Sequence, residues 1–240
     1  MLRAFGFILL FFLLFCCQSQ EALPKRTGQE YVPVRVGAYW EYAVTETVIS
    51  QVGGQTNTFT ELRVEVTDSI ASGGDLTYVL HRWTRNQGSS NWNAAESWSL
   101  RVDATQVVQQ EGNLPYVKLL FPLTEGRSWN GNALNNLGGT DACGDGSFAC
   151  DMYVVSGWQK PFEIPGVLSY SDTVTIVEND EDDPIVLKDI RKTVYAKAIG
   201  CVYREETHLE YCTVGSCIGQ QVVENGRIVR QTLTAHGLVQ

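Results

Sequence analysis

The sequence predicts an all-β protein, an antiparallel meander curled into a half-barrel or barrel-like sheet with little helix. Three observations carry this. Apolar and polar residues alternate with period two along most of the chain, Gly and Asn pairs interrupt the alternation at short intervals, and no twelve-residue window shows a persuasive helical period. Strict alternation, rather than continuous apolar runs, indicates antiparallel strands with one wet face. About ten strands with few covering helices leave long adhesive edges if the sheet stays flat, so it is expected to curl.

In chain order, the amino terminus reads as an export signal outside the fold. Arg3 supplies a positive start, and Phe5 to Phe15 is an eleven-residue apolar run. Such a run is too short to cross a bilayer core of about 30 Å as a helix. Leu14-Phe15-Cys16-Cys17 resembles a bacterial lipobox, with an aliphatic residue three positions and a small residue one position before the lipidated Cys17. Lipidation at Cys16 would instead place bulky Phe15 next to it. Residues 1–16 are therefore read as the signal peptide, 17–30 as a lipidated tether and 31–240 as a single β domain. Membrane attachment through the lipid follows. Gln18 is not the aspartate that retains lipoproteins in the inner membrane of well-studied bacteria, so an outer-membrane location in the cell envelope is expected.

The strands come next. From Trp40 the apolar positions continue through Tyr42 and Val44. Residues 58–67 place Thr60, Leu62, Val64 and Val66 on one face and Glu61, Arg63 and Glu65 on the other. Similar segments cover 75–85, 96–102, 104–110, 115–121, 151–157, 171–178, 185–195, 200–212 and 227–235. Turn material separates them at Gly53-Gly54, Gly73-Gly74, Asn130-Gly131, Gly138-Gly139, Asn179-Asp180 and Asn225-Gly226. The last pair has the type I′ hairpin signature, between Val222-Val223 and Ile228-Val229.

Composition fits this architecture and excludes several functions. A chain of 240 residues, 44% hydrophobic and 19% charged, is neither disordered, collagenous nor coiled-coil. Its length suits one β domain with a real core. Eighteen basic against 27 acidic residues give a net charge of −9, and there is no basic run. Recognition of nucleic acid through its phosphates is disfavoured.

Five cysteines remain after Cys16 and Cys17. Cys143–Cys150 and Cys212–Cys217 each enclose a short Gly/Ser segment able to bring its ends together, so two local disulfides and an oxidising compartment are expected. Cys201 is then left over and reads as a small buried hydrophobe. Neither C-x-x-C spacing nor a nearby His pair is present, so the expectation is no metal and no cofactor.

Pro33-Val34-Arg35-Val36-Gly37-Ala38-Tyr39-Trp40 and Pro122-Leu123-Thr124-Glu125-Gly126-Arg127-Ser128-Trp129 share one frame. Its physical reading is a turn freed by Gly, followed by a Trp that anchors a new strand.

Tyr31-Val-Pro33-Val-Arg-Val-Gly37-Ala-Tyr-Trp40-Glu-Tyr42, together with Val194-Tyr195-Ala-Lys197-Ala-Ile199-Gly200-Cys-Val202-Tyr203-Arg204-Glu205, resembles a group of cell-envelope lipoproteins of Bacteroidetes. Their pattern is Tyr-x-Pro-Leu-x-x-Gly-x-x-Trp-x-Tyr near the mature start and Tyr-Ala-x-Gly-x-Gly-x-Val toward the end. Trp129-Asn-Gly-Asn132 and Asp172-Thr-Val-Thr-Ile176 are also similar, so the likeness covers about residues 30–206. Val34 replaces the usual Leu, Ala198 the usual Gly, and Cys201 an aliphatic residue. The resemblance implies a mostly antiparallel β envelope protein and carries over no activity and no functional residue.

No nucleophile elbow, P-loop, H-E-x-x-H or dinucleotide fingerprint occurs. Of the three histidines, His81, His208 and His236, the first two lie in alternating strands and read as structural or surface residues. Glu61, Glu65, Glu96, Glu163, Glu205 and Glu206 are the carboxylates available for glycosidase work, which depends on a separation that sequence does not give. The expectation is that the protein is not an enzyme. The acidic run Asn179-Asp180-Glu181-Asp182-Asp183 offers oxygen ligands for calcium, with Asp141, Asp145 and Asp151 as helpers, against the plainer reading of a solvated hairpin tip.

Two function classes stay open. One is a membrane-anchored binding module that holds an amphipathic or hydrophobic ligand in the concavity of the sheet. The other is a structural or accessory lipoprotein that contacts another envelope protein, with a filled core and neither ligand nor catalysis. A continuous apolar cavity of about 300 Å³ or more favours the first and a side-chain-filled interior the second.

Overall fold

The computed structural model describes residues 27–72, 75–135 and 152–239. Twelve strands follow one another: β1 (Ala38–Ser50), β2 (Gly54–Ser72), β3 (Asp75–Asn86), β4 (Asn93–Val102), β5 (Gln106–Glu111), β6 (Leu114–Leu120), β7 (Ser128–Asn130), β8 (Met152–Ile164), β9 (Leu168–Asp183), β10 (Leu187–Ala196), β11 (Gly200–Tyr211) and β12 (Val223–Leu238). They form one antiparallel sheet in the order β6-β5-β4-β3-β2-β1-β12-β11-β10-β9-β8-β7. The chain therefore makes two six-stranded meanders, joined by the pairing of β1 with β12.

The sheet's two edge strands, β6 and β7, come back together. The Val117 N–H donates to the Gly131 carbonyl at 2.8 Å, and the Trp129 indole N–H donates to the Val117 carbonyl at 2.7 Å. The result is a nearly closed barrel, which removes most of the unpaired edge that a flat sheet exposes. Among the described residues, helix is confined to two three-residue 3-10 turns, Gln29–Tyr31 and Gly215–Cys217. Among the described residues, no helix is long and apolar enough to cross a membrane.

Period-two alternation sets the inside and outside of the wall. On β2, Leu62 and Val66 are buried, while Glu61, Arg63 and Glu65 sit on the wet face. There Arg63 pairs with Glu41 at 2.8 Å and Glu65 at 3.2 Å, and its guanidinium lies 4.3 Å from the centre of the Tyr39 ring. The apolar core is densest toward one end, where Tyr31, Val66, Leu119, Leu123, Tyr153 and Ile176 are fully enclosed. A second cluster centres on Val194, Val202 and Tyr203. Phe162 reaches it, with its ring 5.5 Å from that of Tyr203, because β8 changes register between Ser156 and Phe162. Gly157 and Gln159 take left-handed φ values of 68° and 57° at that bend.

Two expected turns are not turns. Asn225 and Gly226 lie inside β12, paired with Ser50 and Ile49 of β1 on one side and Glu210 and Leu209 of β11 on the other. Gly226 is needed for close approach instead: a Cβ there would stand 2.6 Å from Leu209 Cδ2 and 3.1 Å from the His208 carbonyl oxygen. Asn179-Asp180 likewise continues β9, with the Asn179 side-chain amide donating to the Asp189 carbonyl at 3.1 Å. The three-residue strand β7 was not expected, since it is too short to show alternation.

The two Gly-x-x-Trp frames fold the same way. Ala38 N–H donates to the Arg35 carbonyl at 3.0 Å and Arg127 N–H to the Thr124 carbonyl at 3.1 Å. Gly37 and Gly126 adopt φ of 85° and 76°, and each donates its N–H to a neighbouring strand, at Val66 and Val155 respectively. Trp40 then enters β1 and Trp129 enters β7, so each six-stranded meander starts from this turn.

Candidate ligand-binding lumen

The segment before β1 closes one end of the barrel. It is tied to three connections and one strand: Thr27 accepts from Leu123 N–H at 2.9 Å, Gln29 donates to the Asp103 carbonyl at 3.3 Å, Glu30 accepts from Ala198 N–H at 2.8 Å, and the Tyr31 hydroxyl donates to Asp172 of β9. Gly28, at φ 99°, lets this segment lie against Leu123, whose side chain would meet a Cβ at 2.6 Å.

Beneath this plug, the interior holds three cavities that share lining residues, and the apolar one falls short of the roughly 300 Å³ expected of a ligand site. An upper cavity of about 90 Å³ is lined mainly by apolar side chains, among them Tyr31, Val34, Trp40, Val64 and Leu80. A middle cavity of about 100 Å³ shares Val64, Leu80, Tyr42, Lys118 and Cys201 with it and adds Arg82, Trp98 and Arg204. A lower cavity of about 280 Å³ shares Arg82, Trp98 and Arg204 with the middle one and extends to Val44, Thr84 and Arg227. The Arg227 side chain is 55% exposed, so the lower cavity lies toward solvent at the end opposite the plug. The lumen thus grades from apolar to charged along its axis.

Ion pairs cross this lumen. Lys118 on β6 stands 3.1 Å from Glu111 on β5 and 3.7 Å from Glu178 on β9. Arg204 on β11 lies 2.7 Å from Glu206 and 4.0 Å from Glu111. Arg82 on β3 pairs with Glu96 and lies 3.7 Å over the Trp98 ring. Burial alone would raise the Glu178 carboxyl, but Lys118 and Arg204 facing it, with the Thr193 hydroxyl donating at 2.7 Å, hold it below the ordinary carboxylate range. Glu111 is held down in the same way against its own burial. Arg82 differs, because burial lowers its guanidinium below the usual value and nearby Arg204 adds to that. Three donor atoms in this ring, Arg82 Nε, Arg204 Nε and Trp98 Nε1, are buried without a protein acceptor.

Cys201 is a free thiol that lines the upper and middle cavities and is half-buried. Burial pushes it up to about 11. Cys212 and Cys217 are joined, with Cα atoms 5.8 Å apart, and staple the connection between β11 and β12 as expected. Cys17, Cys143 and Cys150 lie outside the described residues, as do Asp141, Asp145 and Asp151.

The candidate carboxylates disperse. Glu61 pairs with Arg85, Glu65 with Arg63, Glu96 with Arg82, and Glu205 with Lys192 at 2.9 Å; Glu163 is exposed. Glu206 alone among them lines the lumen. His81 stacks edgewise on Trp83, His208 lies 3.7 Å from Glu210, and His236 is exposed. In the acidic run, Asp182 pairs with Lys188 at 2.7 Å, and Asp183 accepts the N–H groups of Ile185 and Val186. Among the described residues, no group of three or more His, Cys, Asp or Glu is placed to hold a metal ion.

The sequence reading missed Arg82, Lys118, Glu178 and Arg204. The available signal was parity. Arg82 occupies the inward register of Leu80 and Thr84, whereas Lys118, between Val117 and Leu119, fits ordinary alternation and carries no such signal.

No family model and no curated protein matches the chain. Among solved structures, it is similar to a Bacteroides fragilis protein described as exported, with a YmcC-like fold, at 12% identity and a TM-score of 0.42, over 85% of this chain and 97% of that one. It is also similar to a Parabacteroides distasonis protein described as a lipoprotein, at 9% identity and a TM-score of 0.38, over 86% of this chain and 98% of that one.

Proposed function

We propose that the chain is an envelope lipoprotein, anchored in the outer membrane through Cys17, that binds an amphipathic ligand inside its barrel without acting on it chemically. The observation that carries the reading is the unfilled lumen, apolar beneath the N-terminal plug and charged toward the open end. A barrel serving only as a scaffold gains by filling such space, because empty volume forfeits packing. Anchoring rests on the short apolar run and on the lipobox at Leu14-Phe15-Cys16-Cys17. The Cys212–Cys217 bond agrees with an oxidising compartment. Native mass spectrometry of detergent-extracted full chain tests the binding: a ligand of defined mass should co-purify and be lost on denaturation, and an empty lumen that accepts no amphiphile would overturn it.

A second reading, contact with another envelope protein, is favoured by exposed apolar residues at the open end. Val52 in the β1–β2 turn is 98% exposed, and Val214 and Ile218 in the stapled connection are 68% and 52% exposed. The two tips are linked by a hydrogen bond from Gln51 to Glu224 at 3.1 Å. Crosslinking in intact cells from a position beside Val214 distinguishes a partner from solvent.

A further inference from the structure

Resting on the reading of the lumen as a binding site, we infer that its ligand is an anionic amphiphile, with a carboxylate or phosphate head held in the Arg82–Trp98–Arg204 ring and its apolar body in the chamber beneath Tyr31 and Trp40. Three observations converge on this. The middle cavity is walled by three cationic side chains, Arg82, Lys118 and Arg204, and by no carboxylate. The acidic partners of these cations engage other atoms: Glu96 meets the Arg82 Nη1 atom, Glu206 the Arg204 Nη2 atom, and Glu111 and Glu178 the Lys118 ammonium. What is left over is all donor: Arg82 Nε, Arg204 Nε and Trp98 Nε1 are buried and lack an acceptor.

A buried donor without a partner is costly, so the complementary group is one that brings acceptor oxygens and no hydrogen of its own. An anion satisfies this, and it also meets the Arg82 guanidinium, which is lowered first by burial and in lesser part by Arg204. Stacking of Arg82 on Trp98 holds the guanidinium flat, so less order is lost when a head group docks. A cationic head brings only further donors to a site whose unpartnered atoms are already donors. The apolar chamber then sets polarity: the body of the ligand lies toward the plug and its head faces the middle of the barrel.

The test is equilibrium dialysis of the full mature chain in a non-ionic detergent, against protein-free micelles, with labelled octanoate, octyl phosphate, octylamine and 1-octanol. Octanoate or octyl phosphate should bind at one per chain, at least tenfold more tightly than octanol, and octylamine should not bind; the stronger of the two anions identifies the head group. Arg82→Gln and Arg204→Gln should each weaken anion binding tenfold or more and leave octanol unchanged. Trp98→Phe keeps the ring and removes one donor. Checked for an unaltered melt, it should weaken the anion about threefold and spare octanol, which keeps the test valid if an arginine variant fails to fold. Octanol or octylamine binding as well as octanoate overturns the anion assignment and leaves the lumen a binding site. Binding of none of the four overturns both readings.

Discussion

The Trp40 indole N–H donates to the Ile199 carbonyl at 2.6 Å, and the adjacent Gly200 supplies the room. At φ 104° it stands where a Cβ would be 3.2 Å from Trp40 Nε1. The two segments that carry the lipoprotein resemblance are thus one contact in space, reinforced by the Tyr42 hydroxyl, which donates to the Cys201 carbonyl at 3.1 Å. Trp40→Phe should cost about 1 kcal/mol through the lost hydrogen bond. Gly200→Ala should cost about 1–2 kcal/mol from backbone strain alone, and more because the indole must shift. Since both changes disturb one contact, urea midpoints of the double variant should be non-additive. Strict additivity would mean the contact is not formed.

The Gly-x-x-Trp frames give a second expectation. Trp129 is 6% exposed and bonded to Val117, so Trp129→Ala should cost about 3–5 kcal/mol. A Cβ at Gly126 meets nothing, and one at Gly37 meets only the Val239 carbonyl at 3.8 Å. Gly37→Ala and Gly126→Ala should therefore lose similar amounts, about 1–2 kcal/mol each, from the left-handed backbone alone. A melt of either variant that matches wild type would show that the turn does not hold its positive φ.

These frames show what is legible in a single sequence and what is not. Period two places Leu62 and Val66 inside and Glu61 and Arg63 outside, because alternation is a local property of a strand. The turn signature failed at Asn225-Gly226, where a tertiary neighbour, Leu209, rather than a turn requires the glycine. Closure of the barrel was expected from the edge argument, but its partners were not, since Val117 and Gly131 meet only once the whole sheet has curled. The lumen escaped for a related reason: Lys118 and Glu178 sit 60 residues apart in sequence and meet across the barrel. Parity marks Glu178, in register with Val174 and Ile176, as misplaced charge, but gives no such sign for Lys118, and only the fold pairs them.

The Cys212–Cys217 staple closes a short loop at the open end. Replacing both with Ser should cost about 2 kcal/mol by the chain-entropy estimate for so small a loop. Labelling of the folded, unreduced chain should modify neither cysteine; modification of either without reductant would contradict the pairing.

Cys201 should behave oppositely to a reactive thiol. Raised to about 11 by burial, it holds roughly 100-fold less thiolate at pH 8 than a thiol near 9, and thiolate is the species that alkylates. Iodoacetamide should therefore label Cys201 about two orders of magnitude more slowly in the folded chain than in urea. Because Cys201 lines the upper and middle cavities, a bound amphiphile should slow it further. Equal rates in the two states would place the thiol on the surface.

The charges across the lumen predict how acid acts on the barrel. Glu178 and Glu111 both titrate below the ordinary carboxylate range in the folded state, held down by Lys118 and Arg204 against the opposing effect of burial. A depressed folded value means that the unfolded chain takes up the proton first. The stabilisation is accordingly complete above the unfolded value of about 4.3 and is lost as pH falls through the lower folded values. Urea midpoints should be flat from pH 7 to about 5 and drop steeply below 4. Glu178→Gln removes the partner of a buried lysine and should cost about 3–5 kcal/mol at pH 7. Its penalty should shrink in acid, because there the unfolded wild-type chain takes up a proton that the folded barrel resists. Were the penalty of Glu178→Gln to stay constant from pH 7 to pH 3, the Glu178 carboxyl would titrate alike in the folded and unfolded chain, and the barrel would not be holding it below the ordinary range.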